Sequence, residues 1–180
     1  AGGVALNCVV NGLIQKKKIF KKIWIQPASG DAGGSLGSAL AVWYMHLNNK
    51  RNLRKDDEMS GAYLGPNFSS DHIKKSLNNL GAKYTVYDRD RMLKFVAKTI
   101  SKGSAVGWFQ GRMEFGPRAL GARSILADPR NKKMQKQLNL KIKYRESFRP
   151  FAPSIIEKYS KKWFDLDCSS PYMLLVSNIK

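Results

Sequence analysis

Two stretches combine arginine with glycine and proline in a way that suits the chemistry of phosphorylated substrates. The first is Gln110-Gly111-Arg112-Met113-Glu114-Phe115-Gly116-Pro117-Arg118-Ala119-Leu120-Gly121-Ala122-Arg123-Ser124. It follows the apolar run Ala105–Phe109, which reads as a buried strand, so the backbone turns tightly at the strand's carboxyl end. Ligands of open α/β sheets bind at that end. Arg112, Arg118 and Arg123 offer guanidinium forks for bidentate contact with phosphate or carboxylate. The glycines of the stretch, Gly116 among them, suit an anion nest of backbone N–H groups, and Ser124 adds a hydroxyl.

The second stretch is Lys141-Ile142-Lys143-Tyr144-Arg145-Glu146-Ser147-Phe148-Arg149-Pro150-Phe151. Lys143, Arg145 and Arg149 alternate with aromatic faces that suit stacking. A solvated basic face is the plain alternative. Glu114 and Glu146 are the acidic exceptions: each is a candidate to orient an arginine or hold magnesium, and ion pairing with Arg is the simpler reading for Glu146. A weaker signal lies upstream. Gly2-Gly3 precedes an apolar run, and Gly30-Asp31-Ala32-Gly33-Gly34 precedes a helix, which lets backbone approach a nucleotide closely. Asp31 there also suits a plain helix-capping role. His46 and His72 have no neighbours at metal-site spacing, and no Ser-His-Asp or Cys-His motif occurs. Cys8 reads as a small buried hydrophobe in a strand.

The elements that must position these groups follow from periodicity and turn chemistry. Val4–Val10 reads as a strand ending at the turn Asn11-Gly12, and Ile23–Ile25 as a second strand stopped by Pro27. Leu36, Leu40, Trp43, Tyr44 and Leu47 recur at helical spacing from Ser35 onward. Ser69 or Ser70 caps a helix to Leu80, with Gly81 beyond it; Asp90–Lys102 is a helix closed by Gly103. Lys83–Tyr87, Ser124–Ala127, Phe151–Ile156 and Met173–Val176 read as strands, and Asn131–Leu140 as a basic helix. This order predicts an α/β or α+β fold with a mixed sheet. The polar stretch Asn48–Ser60 is the candidate boundary between domains.

The 180 residues hold 32 Lys and Arg against 13 Asp and Glu, a net charge of +19. Hydrophobic residues make up 43%, enough to argue against a disordered chain. No apolar run reaches the roughly 18 residues of a membrane span. Two cysteines far apart exclude a disulfide scaffold. Residues 110–150 hold eleven basic and three acidic residues, so a large share of the charge falls on the two arginine-bearing stretches. A chain opening at Ala1 inside a Gly-Gly turn, and closing just after Leu174-Leu175-Val176, reads as a piece of a longer one.

Taken in order, six motifs carry a resemblance. They are Gly2-Gly3-Val4-Ala5-Leu6-Asn7, Gln26-Pro27-Ala28-Ser29-Gly30-Asp31-Ala32-Gly33-Gly34, Gly61-Ala62-Tyr63-Leu64-Gly65-Pro66, Glu114-Phe115-Gly116-Pro117-Arg118-Ala119-Leu120-Gly121, Lys143-Tyr144-Arg145-Glu146-Ser147-Phe148-Arg149-Pro150-Phe151-Ala152-Pro153 and Ser170-Pro171-Tyr172-Met173. The set resembles the NodU/CmcH/TobZ-type O-carbamoyltransferases over essentially the whole chain.

The resemblance implies the end of an actin-like ATPase-fold domain over 1–50, a linker over 51–61 and a YrdC-like domain over 62–180, a mixed twisted sheet with flanking helices. It implies adenylation of carbamate derived from carbamoyl phosphate with ATP, then transfer to a hydroxyl of a sugar or natural-product acceptor in the complete, cytoplasmic enzyme. By it Arg118, Lys143 and Arg145 are catalytic. Arg112, Gly116, Arg123, Ser124, Arg149, Gly2, Gly3 and Asn7 bind the nucleotide, and Asp31 matches a metal-ligating aspartate whose histidine partners would lie upstream. ATP and Mg2+ are the implied cofactors, with Fe2+ a candidate in the complete enzyme. A homo-oligomer stays open. The rival from another class is a basic RNA-binding YrdC-like module; arginines fixed in Gly/Pro loops, rather than lysines spread over a face, weigh against it. A remnant that keeps only the fold is a third reading.

Overall fold

The computed structural model describes residues 2–53 and 56–180. Ala1, at the opening Gly-Gly turn, and Arg54 and Lys55, within the predicted linker, lie outside the described residues. The chain divides into two units. The first comprises residues 1–65, 112–120 and 155–180, and the second 66–111 and 121–154.

The first unit starts with a 3-10 turn, Gly3–Leu6, and a helix α1, Cys8–Lys16. Asn7 caps α1, its Oδ1 accepting from the Val10 N–H at 3.2 Å. The strand expected over Val4–Val10 is therefore helical, and Asn11-Gly12 is not a turn. An apolar run this short carries no usable period, and the cap decides it. Asn11 instead lies buried, donating to the Ala5 carbonyl at 2.8 Å and the Leu174 carbonyl at 3.1 Å. Gly12 lets the segment around Val176 cross α1, since a Cβ there would stand 2.7 Å from the Val176 oxygen. Cys8, expected inside a strand, opens α1 and is half-buried. Ile23–Ile25 pairs with no strand, and Trp24 is 80% exposed.

Helix α2, Asp31–Ala41, starts four residues before the expected Ser35 and runs into a π-helical turn, Val42–His46. Its start sits against Ala28, where a Cβ on Gly33 would fall 2.0 Å from the Ala28 oxygen. Leu40, Trp43 and Leu47, on the expected apolar stripe, stay about half exposed. Farther along, Gly65 N–H donates to the Met113 carbonyl at 2.9 Å and Phe115 N–H to the Ala62 carbonyl at 2.6 Å, which seats the glycine-proline loop on segment 62–65. Tyr172 Oη donates to Asp57 and accepts from the Gly61 N–H at 3.0 Å. Met173–Val176 forms no strand, although Leu174 is buried; the one bridge among the described residues of this region is Phe164 with Ile179.

The second unit follows the sequence more closely. Helix α3, Ser70–Asn79, is capped by Ser69, whose hydroxyl accepts from His72 N–H at 3.2 Å, and Gly81 leaves it at φ +63°. Helix α4, Arg89–Ser101, is capped by Asp88 through the Arg91 N–H at 2.8 Å, and Gly103 follows at φ +89°. Strands β1, Val106–Phe109, and β2, Arg123–Leu126, pair antiparallel with Val106 opposite Leu126 and Phe109 opposite Arg123. Helix α5, Met134–Leu138, passes into a π-helical turn, Asn139–Lys143, so the expected basic helix starts three residues later and ends three residues later than Asn131–Leu140.

The α+β class holds, but among the described residues the sheet has only these two antiparallel strands. Lys83–Tyr87 and Phe151–Ile156 join no ladder, and Phe109 is exposed rather than buried. Alternation alone cannot supply a strand with a partner. No helix among the described residues is long and apolar enough to cross a membrane.

Little apolar surface is covered. The accessible area is 14488 Å², where a compact monomer of this mass exposes about 8,800 Å² and two separate compact bodies of half the mass about 10,600 Å². Val4, Val9, Leu13, Phe20, Trp24 and Met45 are all more than half exposed.

Candidate active site

In the first unit the glycine motifs meet. A cavity of about 440 Å³ is lined by Gly3, Leu6, Gly30, Asp31, Ala32, Gly116 and Pro117. Three separate stretches of sequence thus supply one recess. Gly30, Asp31 and Ala32 bring the N-terminus of α2 to this recess, and a helix N-terminus favours an anion. Gly116 adopts φ +110°, and a Cβ on it would stand 2.9 Å from the Ala28 Cβ, so only glycine fits both the conformation and the space.

Arg118 Nη2 donates to the Leu6 carbonyl at 2.7 Å, tying the Gly-Pro-Arg loop to the 3-10 turn. The loop is closed on itself as well. Glu114, 4% exposed, accepts from the Leu120 N–H at 2.9 Å, and Tyr63 Oη donates to the Leu120 carbonyl at 2.9 Å. Gly2 sits at the N-cap of the 3-10 turn with φ 74°, and Asn7 is spent on capping α1. Arg112 is exposed. Asp31 is the exposed first residue of α2; among the described residues no group of three His, Cys, Asp or Glu side chains is placed to hold a metal.

The second unit holds the remaining candidates. Arg123 opens β2 and is half-buried. Ser124 Oγ accepts from the Gly121 N–H at 3.0 Å, which tightens the turn before the strand. Lys143 is exposed at the end of the π-helical turn, and Tyr144 follows with φ +49°. Arg145 Nε donates to Asn139 Oδ1 at 2.6 Å, and its guanidinium lies 5.0 Å from the centre of the Phe151 ring. Its two Nη groups make no hydrogen bond among the described residues, although its charge acts on the nearby Glu146. Arg149 Nε donates to Glu146 Oε2 at 3.1 Å, the ion pairing expected for Glu146. That bond holds the Glu146 carboxyl below the usual carboxylate range.

The candidates therefore fall into two sets. Gly2, Gly3, Asn7, Asp31, Arg112, Gly116 and Arg118 belong to the first unit, and Arg123, Ser124, Lys143, Arg145 and Arg149 to the second. Sequence reasoning missed Leu6 and Pro117 as cavity walls. It also missed Asn139, fully buried beneath the second arginine loop. An asparagine between Leu138 and Leu140 in a basic helix gives no local sign of burial.

Comparison with known proteins adds the following. Residues 97–180 match a family model described as the carbamoyltransferase C-terminus, and residues 1–40 one described as the carbamoyltransferase N-terminus. The chain is 55% identical, over its whole length, to the uncharacterized protein sll1178 of Synechocystis, of which it covers 30%. It is 40% identical over its whole length to nodulation protein NolNO of Sinorhizobium fredii, covering 26% of that protein. It is 31% identical over 97% of its length to nodulation protein U of Azorhizobium caulinodans, covering 28%. The chain thus spans about a third or less of the length of these curated relatives.

Proposed function

We propose that this chain, whose residues 1–40 and 97–180 match the carbamoyltransferase N-terminal and C-terminal family models, supplies the activating site of an ATP-dependent O-carbamoyltransferase. Water first cleaves carbamoyl phosphate to carbamate and phosphate. A carbamate oxygen then attacks the α-phosphorus of ATP; the bond to pyrophosphate breaks and carbamoyl adenylate forms. In the complete enzyme an acceptor hydroxyl attacks the carbamoyl carbon, loses its proton, and AMP leaves.

The carrying observation is the cavity in the first unit. Its volume falls in the range of small-molecule sites. Its walls include the start of α2, a helix N-terminus that suits an anion, and Gly116, whose lack of a side chain lets the loop pack against Ala28. Arg118 acts there by holding the loop to Leu6. The second unit, taken by itself, offers Lys143, Arg145 and Arg149 as cations suited to the phosphates of ATP and to the charge that builds on departing pyrophosphate. Asp31 is one exposed carboxylate, and among the described residues no group of three His, Cys, Asp or Glu side chains stands together to hold a metal. Such chemistry belongs in the cytoplasm, where ATP and carbamoyl phosphate are at hand.

The test is direct. The chain is incubated with ATP, magnesium and carbamoyl phosphate, and pyrophosphate and carbamoyl adenylate are assayed. Pyrophosphate release that requires carbamoyl phosphate supports the proposal; folded protein with no turnover removes the activation step from this chain. Tight, steeply salt-dependent RNA binding with no response to ATP would favour the nucleic-acid reading instead.

A further inference from the structure

Asn139 has none of its surface exposed, yet it is polar. A buried amide is costly unless its donors and acceptor are all used. Here they are. Its Oδ1 accepts from Arg145 Nε at 2.6 Å, and its Nδ2 donates to the Arg149 carbonyl at 2.8 Å and the Ser147 carbonyl at 3.2 Å. Its backbone carbonyl also accepts from the Arg145 N–H at 3.0 Å. One side chain thus grips the loop 144–149 at both arginines.

The loop needs such a grip. Tyr144 takes a left-handed conformation at φ +49°, which a tyrosine does not favour. Gln135 Nε2 helps from α5 by donating to the Phe148 and Arg149 carbonyls, each at 3.1 Å. With Nε held by Asn139 and the guanidinium plane held over Phe151, Arg145 keeps its Nη edge for an anion.

We propose that Asn139 is a positioning residue: it preorganises the Arg145 side chain so that phosphate binding does not have to order it. The inference rests on the reading that Arg145 meets the phosphates of a substrate, and the experiment separates the two. Pyrophosphate is the probe, its affinity for the full chain measured by titration calorimetry in Asn139→Ala, Arg145→Ala and the double variant, with the melting temperature recorded for each. Both single variants are expected to weaken binding about tenfold, a loss typical of one charge-assisted contact. The double variant is expected to lose no more than Arg145→Ala alone, because Asn139 acts through that arginine.

Losses that add, or an Asn139→Ala chain that melts lower but binds as well as the parent, overturn the positioning role. Failure of pyrophosphate to bind the parent chain, or an Arg145→Ala chain that binds undiminished, overturns the phosphate reading and this proposal with it. Should Asn139→Ala not fold, the parent chain decides. Its Arg145 Nε–H resonance, assigned by its loss in Arg145→Lys, is expected to exchange slowly with water before pyrophosphate is added. Fast exchange that slows only on addition would show that the ligand, not Asn139, orders that side chain.

Discussion

Three glycines in one helix allow a test with its own controls. Gly33, Gly34 and Gly37 all lie in α2, whose start forms part of the cavity wall. A Cβ at Gly34 or Gly37 meets nothing within 4 Å, whereas one at Gly33 would stand 2.0 Å from the Ala28 oxygen and 2.9 Å from its carbonyl carbon. Alanine in a helix is favoured over glycine by about 1 kcal/mol. Gly34→Ala and Gly37→Ala should therefore each stabilise by up to that amount, raising the melting temperature by about 2–4 °C for a chain of this size.

At Gly33 the same gain is opposed by a clash between two pieces of backbone. Neither can rotate away as a side chain would, so α2 has to move off Ala28 by about 1 Å. Overpacking costs about 1–3 kcal/mol, and this contact belongs at the upper end. The net is a loss of about 2 kcal/mol, or about 4–8 °C. Urea and thermal melts followed by tryptophan fluorescence would measure it, since Trp24, Trp43 and Trp163 lie in the first unit. Gly33→Ala should also weaken any ligand of the cavity, as it displaces Gly30, Asp31 and Ala32. The reasoning is refuted if Gly33→Ala stabilises to the same extent as its two neighbours.

Two further expectations concern pH. The Arg130 guanidinium, bonded to both oxygens of Asp128 at 2.6–3.1 Å, holds that carboxyl down at about 2. The depressed value contributes stability that is full above the ordinary carboxylate pKa of about 4 and is lost as pH falls toward 2; Asp128→Asn should flatten that part of an acid melting curve. Burial, and then the hydrogen bond to Asp57, push the Tyr172 hydroxyl up to about 12. A raised value means stability that is full below the ordinary tyrosine pKa of about 10 and declines as pH climbs from 10 to 12. Tyr172→Phe should abolish that alkaline step and, by leaving the Gly61 N–H without its acceptor, cost about 1–3 kcal/mol in a urea melt at neutral pH.

What could be read from sequence follows from how local the deciding physics is. Helices α3 and α4 were legible because Ser69 caps the first, and Gly81 and Gly103 stop the two, within a few residues of the elements they bound; the Asp88 cap of α4 was not foreseen. Strands β1 and β2 were each legible as a short β-rich run, but their antiparallel pairing with one another was not foreseen. Helix α1 was not, because Val4–Val10 is too short to show a period. Asn11 gains its meaning from Leu174, on a segment 163 residues away. The candidate site divides in the same way. Arginine, glycine and proline marked both loops, and the Glu146–Arg149 pair was foreseen from adjacency. The meeting of Gly3, Gly30 and Gly116 at one cavity, and the burial of Asn139, are tertiary facts that no window of sequence contains.

The uncovered apolar surface of α1, α2, the segment between them and the π-helical turn Val42–His46 has a calorimetric meaning. The heat capacity of unfolding measures apolar area newly given to water, typically about 12–15 cal/mol/K per residue. Side chains such as Trp24 and Met45 already meet water in the folded chain and add almost nothing to it. The chain's stability curve is therefore shallow, changing slowly on either side of its maximum. Any protein surface that covers these faces does so with a large negative heat-capacity change of association, the thermodynamic mark of apolar burial. Temperature would then act on the covered state far more steeply than on the chain alone.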